Sequence, residues 1–339
     1  MNYIITGGTG FIGTHLTNLI MEREKGAKVY NIDLVKPGEK NPVVKNYKPA
    51  VKAGETLGST YVGGDVRKPL EGLPFTPTED DIIFNFAAVH RTPGHEDHEY
   101  FETNIRGAEN VTAFAERWGI KTIVFTSSIA PYGAAEDLKT EETLTTPNTA
   151  YGISKLVAEK IHIAWQAGDK ERRRLMIVRP GVVFGRGENG NFTRLYWGIR
   201  KHTFAYPGRK DTIKACVYVK ELVRFMLWRI EGRMEQGVEL FNCTFEPAFT
   251  IEQIVEAMKK STGMKKWVPF VPNWIIMPAA VVAKCLGSPM GICPARVKKL
   301  QVSTNICGKR MAGSGYKFHW TLEEAIKDWA ADCGGGGLE

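Results

Sequence analysis

The stretch AYGISKLVAEK, residues 150–160, sets a tyrosine and a lysine four positions apart, Tyr151 and Lys155, in a segment whose pattern predicts a helix. A helix repeats every 3.6 residues, so both side chains project from one side, a turn apart. A free phenol ionises near pH ~10, and a cation beside it in a desolvated cleft stabilises the phenolate by about 1.4 kcal/mol per pKa unit. A tyrosine paired in this way can take and return a proton at neutral pH. The spacing alone also describes an ordinary amphipathic surface helix, so the elements around it must decide.

A second run, TGGTGFIG at 6–13, lies between a short β-branched strand and the helical pattern FIGTHLTNLIMERE. Gly7, Gly10 and Gly13 stand three apart. They permit a tight turn, close approach of backbone N–H groups to a pyrophosphate, and a helix N-terminus aimed at the anion. Asp33 ends the next strand, 20 residues after Gly13, where a carboxylate accepts both ribose hydroxyls of NAD and repels a 2′-phosphate. Strand, glycine turn, helix and acid together predict a dinucleotide site with NAD as cofactor. Lys36 nearby keeps NADP open.

The elements that must position these residues alternate. Strands are expected at 3–6, 28–34, 60–63, 82–87, 122–127 and 175–180, with helices between the later ones. That rhythm predicts an α/β fold with a Rossmann-type doubly wound parallel sheet over residues 1–179. Beyond residue 180 the rhythm breaks, and a smaller mixed α/β lobe that receives substrate is expected over 180–333, with one strand near 240–244 able to return to the main sheet. The end GGGGLE, 334–339, reads as a flexible tail or cloning remnant.

Composition narrows the classes. At 339 residues, 43% hydrophobic and 24% charged, the chain is an ordinary globular protein of two domains, or one with a large extension. A net charge of +8 favours anionic ligands, but the cations are dispersed apart from clusters such as KERRR at 170–174, which reads as a solvated helix end; no nucleic-acid partner is expected. No signal peptide precedes the first strand. The longest apolar run, 274–286, is interrupted by Pro278 and Lys284 and falls short of the about 20 residues a span needs. It is expected to be a buried or partly exposed helix, without stable membrane insertion. Six cysteines without a CxxC pair point to reduced thiols in a cytoplasmic protein. His90, His95 and His98, among Glu96, Asp97 and Glu99, match no metal-ligand spacing. A loop at the cleft mouth is expected there, touching a sugar through His90 or Arg91, and no metal.

With TGGTGFIG, Asp33, GD at 64–65, NFAA at 85–88, TSS at 126–128 and YGISK at 151–155 in this order, the chain resembles the extended short-chain dehydrogenase/reductases. More narrowly it is similar to the NAD-dependent epimerase/dehydratase group, of the UDP-glucose 4-epimerase kind, that acts on nucleotide sugars. The resemblance covers nearly the whole chain and is strongest over the first 190 residues. It implies an NAD site that draws on Gly7, Gly10, Phe11, Ile12, Gly13, Asp33, Asp65, Val66, Ala87, Ala88, Asn104, Tyr151, Lys155 and Pro180. Asp65 and Val66 would lie near the adenine, Ala87 and Ala88 along the cofactor, and Lys155 on the nicotinamide ribose, while Asn104 would support the central strand. Ser128 would hold the sugar oxygen while Tyr151 moves the proton, with Ser127 the local competitor for that role. His90, Asn191 in the loop ENGNF and Lys214, where many relatives place an arginine, would meet the substrate. Val182 stands where several relatives have a substrate-binding asparagine, which leaves sugar and nucleotide open. A homodimer through helices near 97–118 and 149–167 is also implied.

The segment SIAPYG, 128–133, narrows the reaction by what it lacks. Dehydrating and decarboxylating members carry carboxylates after the hydroxyl residue, and 3,5-epimerising ones a cysteine; here Ile129 and Ala130 occupy those places. With no extra acid or base, the expectation is hydride chemistry at one carbinol, most simply epimerisation at C4 of a hexose. A 4-ketoreductase using the same trio is the alternative, and a non-catalytic NAD(P) sensor is the alternative outside enzymes.

Overall fold

The structure, a computed structural model, describes residues 1–37, 39, 58–90, 94–285, 294–335 and 337–338. Arg91 and Cys293 lie outside them.

Five apolar runs form the strands β1 (Asn2–Thr6), β2 (Lys28–Asp33), β3 (Thr60–Gly63), β4 (Ile82–Asn85) and β5 (Thr122–Thr126). With β6 (Ala135–Lys139) and β7 (Arg174–Pro180) the count reaches seven, but β6 belongs to another sheet. The main sheet is completed instead by the strand Gly237–Cys243, which pairs in parallel with β7, Leu240 opposite Ile177. The strand order is Gly237–Cys243, β7, β5, β4, β1, β2, β3, all parallel. The expected return strand is therefore present, and the expected strands 28–34, 82–87 and 122–127 each end one or two residues earlier, where their chains turn toward the crevice.

Side chains alternate across the sheet with period two, and helices cover both faces, so both faces are apolar. Ile4, Ile83, Ile123 and Leu175 pack on one side with Val111, Phe114 and Trp165. Tyr3, Ile5, Phe84, Val124 and Met176 pack on the other with Leu16, Ile20 and Phe225. The first side is covered by the paired helices α2 (Asp97–Arg117) and α3 (Ala150–Ala167); the second receives α1 (Phe11–Arg23). Their starts are capped. Glu96 and Glu99 form a capping box at α2, and the Thr149 hydroxyl accepts from the Gly152 N–H at α3. Strand order reverses between β1 and β4, and ligands of such sheets bind outside the strand ends at that point.

The lobe has its own core, in which Phe184, Tyr196, Ile254 and Trp329 are buried together. A four-stranded sheet runs Phe249–Thr250, Ile213–Lys214, Thr304–Ile306, β6. The two units thus exchange strands across the expected boundary at 179/180. Of the run 274–286, all but Leu286, which lies outside the described residues, falls in the helix Asn273–Cys285; it is joined in space to the helix Pro294–Gln301, and much of its apolar surface is exposed. The end of the chain departs from expectation: Leu338 is fully buried in the lobe core, and Gly337 lies against Trp197, because an apolar side chain there finds a place among aromatic rings.

Candidate active site

After β1 the chain turns through Gly7 at φ +72°, a conformation that favours glycine, and a Cβ there would meet the Ala87 nitrogen at 2.7 Å. A Cβ on Gly13 would come within 2.5 Å of the Gly7 oxygen. The turn is therefore folded on itself and onto the loop after β4, with backbone, not side chains, at the crevice. Such a cradle at the start of α1 suits a pyrophosphate. Asp33 is drawn over it: its carboxylate accepts from the N–H of Thr9 at 3.1 Å and of Val35 at 3.3 Å. Burial pushes this carboxyl up, and hydrogen bonds from Thr9, Val35 and Leu34 oppose the shift. Glycine cradle and acid together fit a dinucleotide.

The remaining expected cofactor residues divide. Ala87 and Ala88 line the loop after β4, half-buried. Phe11 and Ile12 open α1, partly packed on the lobe core, and Gly10 is its N-cap. Pro180 is buried, and its carbonyl accepts from the Ile129 N–H at 3.3 Å, tying the end of β7 to the serine turn. Asp65 is engaged by Arg67, Nη2 to Oδ2 at 2.7 Å, which lowers its pKa, and the Val66 side chain is buried in the sheet core beside Gly107. Asn104 is no surface amide. It accepts from the Val89 N–H and donates to the Val89 carbonyl and the Ser154 hydroxyl, all within 3.1 Å. It clamps the loop after β4 to α3.

Ser128, Tyr151 and Lys155 converge. Ser128 leaves β5 and accepts from the Ala130 N–H at 3.1 Å, the start of a short 3-10 turn, Ala130–Tyr132. The half-buried Tyr151 phenol is hydrogen-bonded to the Ser128 side chain. One turn on, Lys155 is 3% exposed, with Nζ 4.4 Å from the Phe125 ring centroid. The charges depart from expectation. Burial lowers Lys155 to about 7, with Glu159 opposing; burial also pushes the Tyr151 phenol up, with the Ser128 hydrogen bond opposing and Tyr100 adding to the rise. Spacing alone argued for an acidified phenol, but in the protein by itself burial is the largest influence on it.

Beneath the trio lies a network that the motifs did not reveal. Glu159, a further turn along α3, is buried and takes both Arg179 Nε at 2.8 Å and Nη2 at 2.6 Å. Ser127 donates to the same carboxylate. That engagement removes Ser127 from the competition with Ser128. Arg179 also lies 4.8 Å over the Tyr132 ring, whose hydroxyl donates to Asn242 at 2.8 Å. Beside it, His162 stacks on Phe125 at 4.2 Å, approaches the Ala158 carbonyl through Nδ1 and the Asn85 amide nitrogen through Nε2. Those partners require a neutral ring protonated on Nδ1, and burial lowers its pKa to about 4. The signal was available: Tyr151, Lys155, Glu159 and His162 recur at i, i+4, i+8 and i+11, one stripe along the helix.

The substrate residues are less concentrated. His90 is exposed at the end of the loop after β4. Asn191 opens the helix Asn191–Arg200, exposed, its amide oxygen accepting from Arg194 at 2.8 Å. Lys214 is half-buried, and its ammonium donates to the Val302 carbonyl at 2.7 Å. His95 pairs with Glu99 at 3.2 Å within the α2 cap, and among the described residues no three His, Cys, Asp or Glu side chains gather as a metal site would require. The five described cysteines are free, and among the described residues no helix is long and apolar enough to cross a membrane.

A reversed parallel sheet, a glycine cradle with its acid, and a serine, tyrosine and lysine gathered beside it define a dinucleotide-dependent enzyme of the short-chain dehydrogenase/reductase type. Residues 3–243 match the model of the NAD dependent epimerase/dehydratase family. The chain belongs to that family, and NAD is its cofactor. It is 27% identical over 96% of its length, and 93% of the relative, to the N-acetyl-alpha-D-glucosaminyl-diphospho-ditrans,octacis-undecaprenol 4-epimerase of Escherichia coli O157:H7. A UDP-glucose 4-epimerase of Halalkalibacterium halodurans is 30% identical, over 84% of the chain and 87% of the relative. Among solved structures, the fold is shared with the UDP-glucose 4-epimerase of Thermus thermophilus in complex with NAD, at a TM-score of 0.71 and 18% identity over 99% of the chain and 100% of that structure.

Proposed function

We propose that this enzyme inverts C4 of a hexose held through a diphosphate. The observation that carries the reading is the convergence of Ser128, Tyr151 and Lys155 beside the glycine cradle, with no carboxylate at Ile129 or Ala130 to serve dehydration. Gly7, Gly10, Gly13 and Asp33 would hold NAD, with Lys155 on its ribose. Bound NAD supplies reversible hydride transfer at its nicotinamide. The chain supplies the rest. Tyr151 takes the C4 hydroxyl proton and later returns it, while Ser128 fixes that oxygen by a hydrogen bond. Lys155, whose charge burial disfavours and Glu159 favours, would place positive charge beside the phenol when protonated.

The relatives' names support the class of substrate. Each joins a hexose to a diphosphate, on a nucleotide in UDP-glucose and on a lipid in the undecaprenol compound. Lys214 supplies charge to that diphosphate without the bidentate fork of an arginine, and Asn191 and His90 flank the entrance. Two copies meeting through α2 and α3, where Ile153 and Val157 are exposed, is our reading of the assembly. Incubation with UDP-, GDP- and dTDP-hexoses without added reductant, scored by NMR, tests the reaction. Epimer formed without NADH supports it; conversion of 4-keto substrates alone, at the expense of NADH or NADPH, replaces it with a ketoreductase.

A further inference from the structure

We infer that the helix Asn273–Cys285 and the basic segment around it dock the enzyme on an anionic phospholipid bilayer, where its diphosphate-linked hexose is carried by an isoprenoid lipid. The carrier rests on the epimerase reading above; the docking does not.

The outward face of this helix is apolar where a surface helix is normally polar. Trp274 is 76% exposed, Val282 57% and Val281 50%, with Ile275, Pro278 and Ala279 also exposed between them. They recur at i, i+1, i+4, i+5, i+7 and i+8, one continuous stripe. Trp267, Phe270 and Leu300 extend it onto the preceding loop and the neighbouring helix. Scattered single apolar residues need no explanation, but a contiguous patch marks an interaction surface. Thirteen residues make a helix about 20 Å long. That is too short to cross a hydrocarbon core of about 30 Å, so such a helix lies in the interface, where tryptophan is favoured.

Charge identifies the partner. Although Lys259, Lys260 and Arg310 pair with Glu256, Glu323 and Glu142 outside the segment, residues 257–322 hold 11 Lys or Arg and no Asp or Glu. This exceeds the +8 of the whole chain, so all of the positive excess lies here and the remainder is net acidic. Lys265 and Lys298 are exposed beside the apolar residues. A second copy would meet the patch with the same positive charge, whereas a bilayer rich in anionic headgroups complements both its greasy and its basic parts.

Placement links the surface to the site. The helix Pro294–Gln301 runs directly into Val302, whose carbonyl accepts from the Lys214 ammonium, and Gln301 donates to Asn273 at the start of the exposed helix. The lysine assigned to the diphosphate is thus one contact from the docking helices. A lipid leaving the far side of that diphosphate would enter the bilayer there. The E. coli relative, similar over 96% of this chain, acts by its name on a diphospho-undecaprenol sugar.

The test is flotation of the full-length enzyme with vesicles of phosphatidylcholine and phosphatidylglycerol, against phosphatidylcholine alone, at low and high salt. Recovery with the anionic vesicles, falling with salt and reduced at least about tenfold in W274E/V282E, supports docking. Leu144→Glu, at a site 81% exposed elsewhere, serves as the control and keeps wild-type recovery. Wild-type protein left at the bottom of the gradient, or W274E/V282E floating as wild type does, overturns it. So does a dimer in light scattering that W274E/V282E dissolves without any vesicle binding, because the face would then join two copies. Both proteins are then given a UDP-hexose in solution and an N-acetylglucosaminyl-diphospho-isoprenoid in the vesicles. Conversion of the lipid-linked sugar, impaired in W274E/V282E while turnover of a UDP-hexose is spared, supports the carrier. Conversion of UDP-hexose alone overturns the carrier. Flotation with no conversion of either leaves docking supported and sinks the epimerase reading.

Discussion

The floor of the active site and the outer face of the lobe handle polarity in opposite ways. Under Tyr151, charged and polar groups are buried and held by partners: Glu159 takes Arg179 through Nε and Nη2, Ser127 and the field of Lys155, while Asn104 uses both ends of its amide. On the Asn273–Cys285 helix, apolar groups are exposed and, among the described residues, left uncovered. The first region carries its partners with it and is preorganised for chemistry. The second, on the inference above, is completed by a bilayer. On the readings proposed above, reaction type is set on the sheet side of the molecule and the choice of substrate carrier in the lobe.

Substitutions on either side sharpen that contrast. The largest effect falls on the buried side. Tyr151→Phe lowers kcat by roughly 100- to 10,000-fold and keeps NAD, so NAD titration of the inactive variant checks both halves of the statement. Gly13→Val forces a Cβ into the Gly7 carbonyl, and the thermal shift that NAD gives wild-type protein should vanish. Glu159→Gln leaves Arg179 buried without its anion and costs about 3–5 kcal/mol in chemical denaturation.

Lys155 gives a smaller, pH-dependent signature. Its folded pKa of about 7 lies below the ordinary 10.5, so folding binds fewer protons and the group opposes folding fully below pH 7. The penalty fades as pH rises toward 10.5. Wild-type stability, measured without cofactor, should therefore climb relative to Lys155→Met over that window, by on the order of a few kcal/mol; parallel pH curves for the two proteins would rule out a buried ammonium. On the lobe side the least effect is expected: Lys214→Ala raises KM about tenfold, or about 1.4 kcal/mol, and leaves kcat within a factor of two or so, read from steady-state epimerisation.

The same division governs what the amino-acid sequence disclosed. The glycine turn, Asp33 and the Tyr151–Lys155 pair were legible because each is a local pattern whose spacing maps directly onto a turn or a helix face. The doubly wound sheet followed from alternation, including a late strand near 240. The phenol's acidity did not follow, because spacing sets who stands beside whom and not how much water remains. Arg179 gave no local sign of its bond to Glu159, which forms only when β7 is laid beneath α3. The lobe was least legible: Ile213–Lys214 is a two-residue strand whose neighbours come from 249–250 and 304–306, pairings with no periodic trace.

The strand β6 leaves the serine turn and lies beside Thr304–Ile306, with Thr304 opposite both Ala135 and Lys214. This makes the division into two units an unsafe seam for engineering. A chimera cut at 179/180 would bring a foreign lobe without its own fourth strand and seat it against a borrowed one, a short turn from Ser128. Grafts that carry residues 135–139 along with the lobe keep handle and blade forged as one piece.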